Sequence, residues 1–295
     1  MDQAVVDARN AFVLERLARY LDETPAAITP ELMAEMTEGL FLSPEEAYAQ
    51  LLCAFCGLDP GESDFDRALL RDYFLPMVRT LDADTFAADP YYRSVRVPAA
   101  RLGRWEFREQ RYAPYEAFVC GDLQALPDGR VLPHIGFFPE GFSYPALLED
   151  GREWMLITPN EIVTMRPAIR AARGRVLAYG LGMGYFAYMA SNKDEVTAVT
   201  VVERDPNAIR LFEAHILPQF PRADKLEIVR DDAFRFAEAR MGAGGYDVVF
   251  TDLWHDPADG LDLYRRMKAL EAKSPGSAFY YWIEDTLKCY LPREG

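Results

Sequence analysis

The sequence contains little cysteine, and its four cysteines are too scattered for a disulfide framework. Cys53 and Cys56 form a Cys-x-x-Cys pair within a helical pattern. A zinc site there would need two more ligands from elsewhere, such as Cys120 or a histidine. We interpret the pair as reduced cysteines buried in a helix, and we predict no metal site. Unpaired cysteines of this kind are typical of a cytoplasmic protein.

Long hydrophobic runs are also missing. No apolar run approaches the roughly 20 residues that are needed to span a bilayer. The N-terminal residues Met1-Asp2-Gln3 continue into a charged helical pattern without a basic region or a cleavage site, so we expect no secretory signal. We therefore expect no membrane partner.

Basic residues are scarce relative to acidic ones. The chain has 32 Lys and Arg residues against 47 Asp and Glu residues, a formal net charge of −15. Nucleic-acid binding depends on clustered Lys and Arg side chains that neutralise phosphates, and no basic stripe is present. This argues against a nucleic-acid partner and leaves small molecules or proteins. We expect a small-molecule substrate, and a homodimer is compatible with the sequence.

The 295 residues are enough for more than one domain, and the residue pattern predicts three regions. Residues 1–92 are predicted to form an N-terminal helical domain, with Pro30 and Pro44 just inside two helix starts and a fourth helix over 64–81. Residues 93–158 are predicted to form a small antiparallel β region, since short runs rich in aromatic and β-branched residues are separated by turn signals. Its predicted strands are 104–112, 116–120, 130–138 and 153–157.

Strand and helix patterns alternate in the third region, residues 159–295, after a helix predicted over 160–172. The predicted strands are 175–179, 196–202, 226–229, 246–251 and 278–283, and the predicted helices between them are 185–191, 205–217, 233–240 and 261–272. This alternation predicts an α/β fold with a Rossmann-like, doubly wound, mostly parallel sheet. Ligands bind such sheets at the carboxyl ends of the strands, next to the topological switch point.

A glycine-rich turn follows the first of these strands, where residues 180–184 are Gly-Leu-Gly-Met-Gly. Glycine lets the backbone turn tightly and approach a ligand closely. The dinucleotide pattern would require Gly or Ala at position 185, which is Tyr185. The turn therefore favours a nucleoside carrying an amino acid over a pyrophosphate, and it disfavours a nicotinamide-dependent oxidoreductase.

Acidic residues stand at the ends of the next three strands. Glu203 ends the second strand, where a carboxylate can accept hydrogen bonds from both ribose hydroxyls; the alternative is a solvated surface acid. Asp232 and Ala233 follow the third strand, where an acid can accept from an adenine amino group. Asp231 is adjacent, so which acid faces a ligand is ambiguous, although we favour Asp232. Asp252 closes the fourth strand.

Together these four features resemble the class I S-adenosylmethionine-dependent methyltransferase superfamily over residues 175–283. The resemblance implies that the cofactor is S-adenosyl-L-methionine, that the glycines flank its methionine part, that Glu203 binds the ribose, and that Asp232 and Ala233 contact the adenine. The cofactor-binding residues that we predict are Gly180, Gly182, Gly184, Glu203, Asp232, Ala233 and Asp252.

Further residues are similar to the spermidine synthase branch of this superfamily. Residues 148–151 are Leu-Glu-Asp-Gly, Glu161 lies in the next helix, and Asp252 to Pro257 resembles that branch's Asp-x-x-Asp-Pro loop with one extra residue. The branch also has a small β domain before its Rossmann-like domain, and the first acid of its loop helps to bind and deprotonate the attacking amine. Two departures are Met183, where the branch usually has an acid, and the absence of its Tyr-His-Glu signature.

The predicted catalytic residues, Asp252, His255 and Asp256, lie in this loop. Asp252 is placed to orient or deprotonate a nucleophile, and the ordinary pKa of His255 suits a general base. The alternative for His255 is a capping or packing role, and Trp254 is as compatible with packing as with stacking on a ligand.

We predict a transferase that uses S-adenosylmethionine, with methyl transfer to a small molecule favoured. Aminopropyl or aminocarboxypropyl transfer and a non-catalytic binding protein with the same fold are the alternatives. The superfamily usually continues with two further strands after the fifth, so we expect the fold to be shortened at its C-terminus. Another segment is then expected to cover the edge of the fifth strand: the β region, residues 287–291, or a second subunit.

Overall fold

The computed structural model describes residues 2–291, so Met1 and the last four residues of the predicted third region lie outside the described residues. The helices are α1 (Gln3–Glu23), α2 (Pro30–Ala34), α3 (Pro44–Phe55), α4 (Asp64–Leu69), α5 (Leu75–Met77), α6 (Ala83–Ala87), α7 (Pro90–Ser94), α8 (Pro159–Ala171), α9 (Tyr185–Ser191), α10 (Pro206–His215), α11 (Ala233–Ala239), α12 (Pro257–Leu270) and α13 (Glu284–Cys289). The strands are β1 (Val78–Thr80), β2 (Ala100–Leu102), β3 (Trp105–Tyr112), β4 (Phe118–Val119), β5 (Gln124–Ala125), β6 (Val131–Leu132), β7 (Ile135–Phe137), β8 (Phe142–Glu149), β9 (Arg152–Leu156), β10 (Gly174–Tyr179), β11 (Val196–Glu203), β12 (Leu226–Arg230), β13 (Val248–Thr251) and β14 (Ala278–Tyr281).

Contacts between Cα atoms group the chain into two compact units. The first contains the residues up to 85 together with 111–143, and the second contains 86–110 together with the residues from 144 onward. The residues of the predicted β region, 93–158, are therefore shared between both units. The predicted division into three regions, with boundaries at 92/93 and 158/159, was based on whether a stretch is predicted to be helical, β or alternating α/β. This division stays a prediction.

The first unit has a helical core whose helices begin where the sequence predicts. Thr29 caps α2, and Ser43 with Glu46 forms a reciprocal capping box at the start of α3. The helix predicted over 64–81 consists of α4, a π-helical turn and α5, and it ends at Met77. The prediction was wrong for the last residues because β1 pairs in parallel with β7, and this pairing overrides the local helical pattern.

The Cys53–Cys56 pair lies buried in this helical core. Burial raises the pKa of both thiols to about 12, so both thiols are protonated near neutral pH. Within residues 2–291, no cluster of three or more His, Cys, Asp or Glu side chains is arranged to hold a metal ion. None of the helices in the described part of the chain is both long and apolar enough to cross a membrane.

The second unit contains a five-stranded sheet in which every neighbouring pair is parallel. The strand order is β12-β11-β10-β13-β14, with helices between successive strands in the chain. This order confirms the predicted Rossmann-like α/β fold. The chain moves outward from β10 through β11 to β12, then returns to the other side of β10 for β13 and β14. The topological switch point thus lies between β10 and β13.

A four-stranded sheet, in the order β2-β3-β8-β9, precedes the parallel sheet. Its strand β8 was not predicted, because Pro145 interrupts a run that otherwise has strand character. The other predicted β segments pair elsewhere, in the β1-β7-β4 sheet and the β5-β6 hairpin. The predicted single small sheet is therefore corrected to three separate sheets.

Strand β14 forms one edge of the parallel sheet, and within residues 2–291 no strand pairs with its outer side. The indole nitrogen of Trp282, which follows β14, donates to Thr164 Oγ1 of α8 over 3.1 Å. Helix α8 therefore packs close to this edge. The predicted cover by the β region, by residues 287–291 or by a second subunit stays a prediction.

Candidate functional site

The carboxyl ends of four parallel strands, β10 to β13, open on a cleft of about 360 Å³ in the second unit. The lining side chains come from these strand ends and from β3, β9, α8, α12 and the residue after β14. The lining residues are Trp105, Trp154, Met155, Glu161, Gly180, Leu181, Gly182, Val202, Glu203, Arg204, Asp231, Asp232, Ala233, Phe234, Asp252, Leu253, Trp254, Asp259, Leu263 and Trp282.

Two of the three predicted glycines line this cleft. Gly180 has a φ of 97°, and a Cβ there would lie 2.0 Å from the carbonyl oxygen of Asp252, so the turn allows the end of β13 to approach. Gly182 has a φ of 50° and also lines the cleft. Gly184 does not; it starts α9, and a Cβ there would lie 2.4 Å from the ring of Phe212. Close packing of α9 therefore explains that glycine.

Glu203 lies in the cleft at the end of β11 rather than on a solvated surface. Its Oε1 accepts from the Asp205 amide over 2.8 Å, and its Oε2 accepts from the Leu181 amide over 3.4 Å. Burial raises the pKa of this carboxyl, and the backbone hydrogen bonds oppose that rise. Glu203 thus connects the end of β11 to the glycine-rich turn and presents a carboxylate to the cleft.

Both acids after β12 line the cleft, but their partners differ. Asp231 forms an ion pair with the guanidinium of Arg235, which lowers the pKa of Asp231. Asp232 caps α11, and its Oδ1 accepts from the amides of Phe234 and Arg235, each over 3.0 Å. The cap uses one oxygen of Asp232. Its other oxygen can accept from a ligand amino group beside Ala233, which also lines the cleft.

Asp252 lies at the end of β13, and Glu161 of α8 faces the same cleft. Burial raises the pKa of Asp252 to about 7. Burial, and then repulsion from Asp252, raises the pKa of Glu161 well above its ordinary value. Since two neighbouring buried carboxylates resist ionising together, the pair retains a proton at neutral pH. Such a pair can accept a proton from a bound nucleophile near pH 7.

The other two residues predicted as catalytic do not line the cleft. The exposed His255 has its Nε2 2.8 Å from the carbonyl oxygen of Glu153. Asp256 caps α12 in a capping box with Asp259, accepting from the Ala258 amide over 2.6 Å. This geometry gives both residues structural contacts, and their catalytic roles stay predictions.

All four tryptophans of the sequence line the cleft, although the sequence pattern singled out only Trp254. They come from β3, β9, the loop after β13 and the residue after β14, so no local motif connects them. The lining also includes six carboxyl side chains and one guanidinium, that of Arg204. The six carboxyls are Glu161, Glu203, Asp231, Asp232, Asp252 and Asp259. An acidic cleft with aromatic walls favours a cationic ligand.

No protein family matches the sequence, and no curated protein matches it. Matches among solved structures include a precorrin 8W decarboxylase from Methanobacterium thermoautotrophicum, with 17% identity, 40% of this chain and 58% of that chain covered, and a TM-score of 0.31. A protein described as an O-methyltransferase from Klebsiella pneumoniae has 17% identity, 40% and 50% coverage, and a TM-score of 0.30. A conserved protein from Streptococcus pyogenes has 22% identity, 34% and 59% coverage, and a TM-score of 0.29.

The chain thus spans between half and three fifths of the length of these solved structures. At such low TM-scores, the assignment of the fold rests on the strand order and the parallel register of this chain itself.

Proposed function

We propose that this protein is a transferase of the class I methyltransferase type that binds S-adenosylmethionine and transfers its methyl group to a small-molecule acceptor. The observation that carries the proposal is that Gly182, Glu203 and Asp232, which lie at or just after the ends of three neighbouring strands, line one cleft. In the proposed complex the adenine would lie over the end of β12, the ribose over β11, and the 5′ substituent over the turn after β10, an arrangement that the strand order β12-β11-β10 supports.

The residues present fit an adenosine group. Glu203 supplies carboxylate oxygens for ribose hydroxyls, and Asp232 supplies an acceptor for an amino group beside the small side chain of Ala233. When bound, the cofactor would supply an electrophilic carbon attached to a sulfonium. Asp252 would orient the acceptor and take its proton, because its raised pKa leaves a base that is poised near neutrality.

Calorimetric titration with S-adenosylmethionine, S-adenosylhomocysteine and a nicotinamide dinucleotide tests the proposal. We expect binding of the two S-adenosyl compounds and none of the dinucleotide. Absence of binding by both S-adenosyl compounds would remove the functional assignment.

The acidity of the cleft favours a second candidate, aminopropyl transfer of the spermidine synthase type. The cleft is lined by six carboxyls against a single guanidinium, and by four indole rings. This lining suits an amine acceptor, which carries positive charge until it is deprotonated. Incubation with candidate amines and either S-adenosylmethionine or its decarboxylated form distinguishes the two reactions. S-adenosylhomocysteine as the product supports methyl transfer, whereas methylthioadenosine supports aminopropyl transfer. Tight binding without either product would favour a non-catalytic protein.

A further inference from the structure

The side chain of Met155, in β9, lies directly against the glycine-rich turn of the cleft. A Cβ at position 182 would lie 2.0 Å from the Met155 sulfur and 3.3 Å from its terminal methyl carbon. Met155 lines the cleft and is 9% exposed. A Cβ at position 182 would therefore displace this thioether from its position, quite apart from any ligand.

The same sulfur accepts a hydrogen bond from the backbone of the turn. The Met183 amide donates to Met155 Sδ over 3.2 Å. Two other amides of the turn are already engaged, since Leu181 donates to Glu203 and Gly184 donates to the Leu181 carbonyl over 2.8 Å. A thioether is a weak acceptor, so an amide that donates to sulfur gains little from the bond.

We propose that Met155 is a specificity-determining residue that limits the size of the 5′ substituent on a bound adenosine. This inference rests on the proposed function, because that function places the 5′ carbon over the turn after β10. The Met155 thioether occupies the space beside Gly182 that a long substituent, such as a homocysteine or methionine chain, must enter.

Met155 weakens the binding of a long 5′ substituent but does not prevent it. Methionine has three flexible side-chain bonds, so Met155 can swing away at modest cost. A ligand carboxylate that reached the Met183 amide would replace a weak sulfur acceptor with a charged oxygen, which partly offsets that cost. Met155 therefore weakens the binding of long substituents and leaves the adenosine part of the site unaffected.

The test measures dissociation constants for adenosine and S-adenosylhomocysteine by calorimetry, with the wild type, Met155→Ala, Met155→Val and Met155→Leu. Truncation to Ala should raise the affinity for S-adenosylhomocysteine by about tenfold relative to that for adenosine. Val, which suits a strand, should give a smaller increase and serves if the Ala variant fails to fold. Leu is the matched control, because it keeps the size of the side chain and lacks the sulfur. For this variant, the ratio of the dissociation constant for S-adenosylhomocysteine to that for adenosine should stay near the wild-type ratio.

An unchanged ratio in the shortened variants, with adenosine still bound, would overturn the role of Met155 and leave the proposed function standing. An equal increase in Leu and Ala would also overturn it, because the sulfur hydrogen bond rather than side-chain size would then limit binding. No binding of either nucleoside by any of the proteins would overturn the proposed function together with this inference.

Discussion

Asp252 directly follows the buried strand β13 and lines the cleft together with a second carboxyl, that of Glu161. Burial makes ionisation unfavourable for both groups. A carboxyl kept in such a position costs the folded state free energy at alkaline pH, and this cost can be measured without knowing the acceptor.

The first prediction concerns the stability cost of Asp252. Its pKa is near 3.9 in an unfolded chain and about 7 in the folded protein, so between these values the folded state retains a proton that the unfolded state has lost. The contribution of this group to stability is therefore largest below about pH 4 and decreases as the pH rises to about 7. Asp252→Asn should be more stable than the wild type by up to about 4 kcal/mol at about pH 8, and nearly equal at about pH 4.

Urea unfolding at both pH values measures this difference. The matched control is Asp262→Asn, because the Asp262 side chain on α12 is 90% exposed. This variant keeps Asp252, so its stability should follow the pH dependence of the wild type. A parallel pH dependence for the wild type and the Asp252 variant would show that Asp252 is not the group that titrates.

The second prediction concerns Glu203 as a ligand for ribose. Glu203→Gln removes the charge while keeping the shape, and hydrogen bonds to a charged group contribute about 1.5 to 3 kcal/mol. Adenosine should therefore bind about 10- to 100-fold more weakly to this variant. Glu227→Gln, on the exposed side of β12, is the control. Equal affinity of all three proteins in calorimetry would place the ribose elsewhere.

At the scale of elements, α12 shows how one signal can support two interpretations. Asp256 and Pro257 resemble the end of a substrate-binding loop, and they also form a cap followed by proline, which is a helix start. The structure has α12 beginning at Pro257, four residues before the predicted start at 261. Because Asp256 and Pro257 were assigned to the loop, the start of α12 at Pro257 was not predicted.

The third prediction separates these two roles of Asp256. Asp256→Ala removes the cap of α12 and should lower the free energy of unfolding by about 1 kcal/mol. Since Asp256 does not line the cleft, the affinity for adenosine should be unchanged within about twofold. Asp256→Asn, which retains a capping oxygen, should recover most of the stability. A large loss of affinity in both variants, without loss of stability, would instead support the predicted role in the reacting site.

At the scale of the whole molecule, burial determines which thiols can react. Cys53, Cys56 and Cys120 are buried, and burial raises the pKa of each to about 12, whereas Cys289 in α13 is partly exposed. The fourth prediction is that a thiol reagent at neutral pH modifies one cysteine per native chain quickly and all four after denaturation. Cys289→Ser should abolish the fast phase. Fast reaction of Cys53 or Cys56, identified by mass spectrometry, would contradict their burial.

The sequence alone determined the Rossmann-like half of this protein, because its signals are local. Helix α9 was predicted over 185–191 and occupies Tyr185–Ser191, and the acids Glu203, Asp232 and Asp252 follow strands whose apolar runs are easily recognised. Parallel strands bring their carboxyl ends to one edge, so those acids were expected to be close together.

Only the tertiary structure decided what surrounds them. The cleft walls combine Trp105, Met155 and Glu161 with Trp282, residues from segments far apart in the chain that no short-range pattern connects. The position of Met155 over Gly182 and the burial of Glu161 beside Asp252 depend on how β9 and α8 pack against the parallel sheet. Side-chain packing between distant segments is a long-range property, and periodicity and propensity describe only near neighbours.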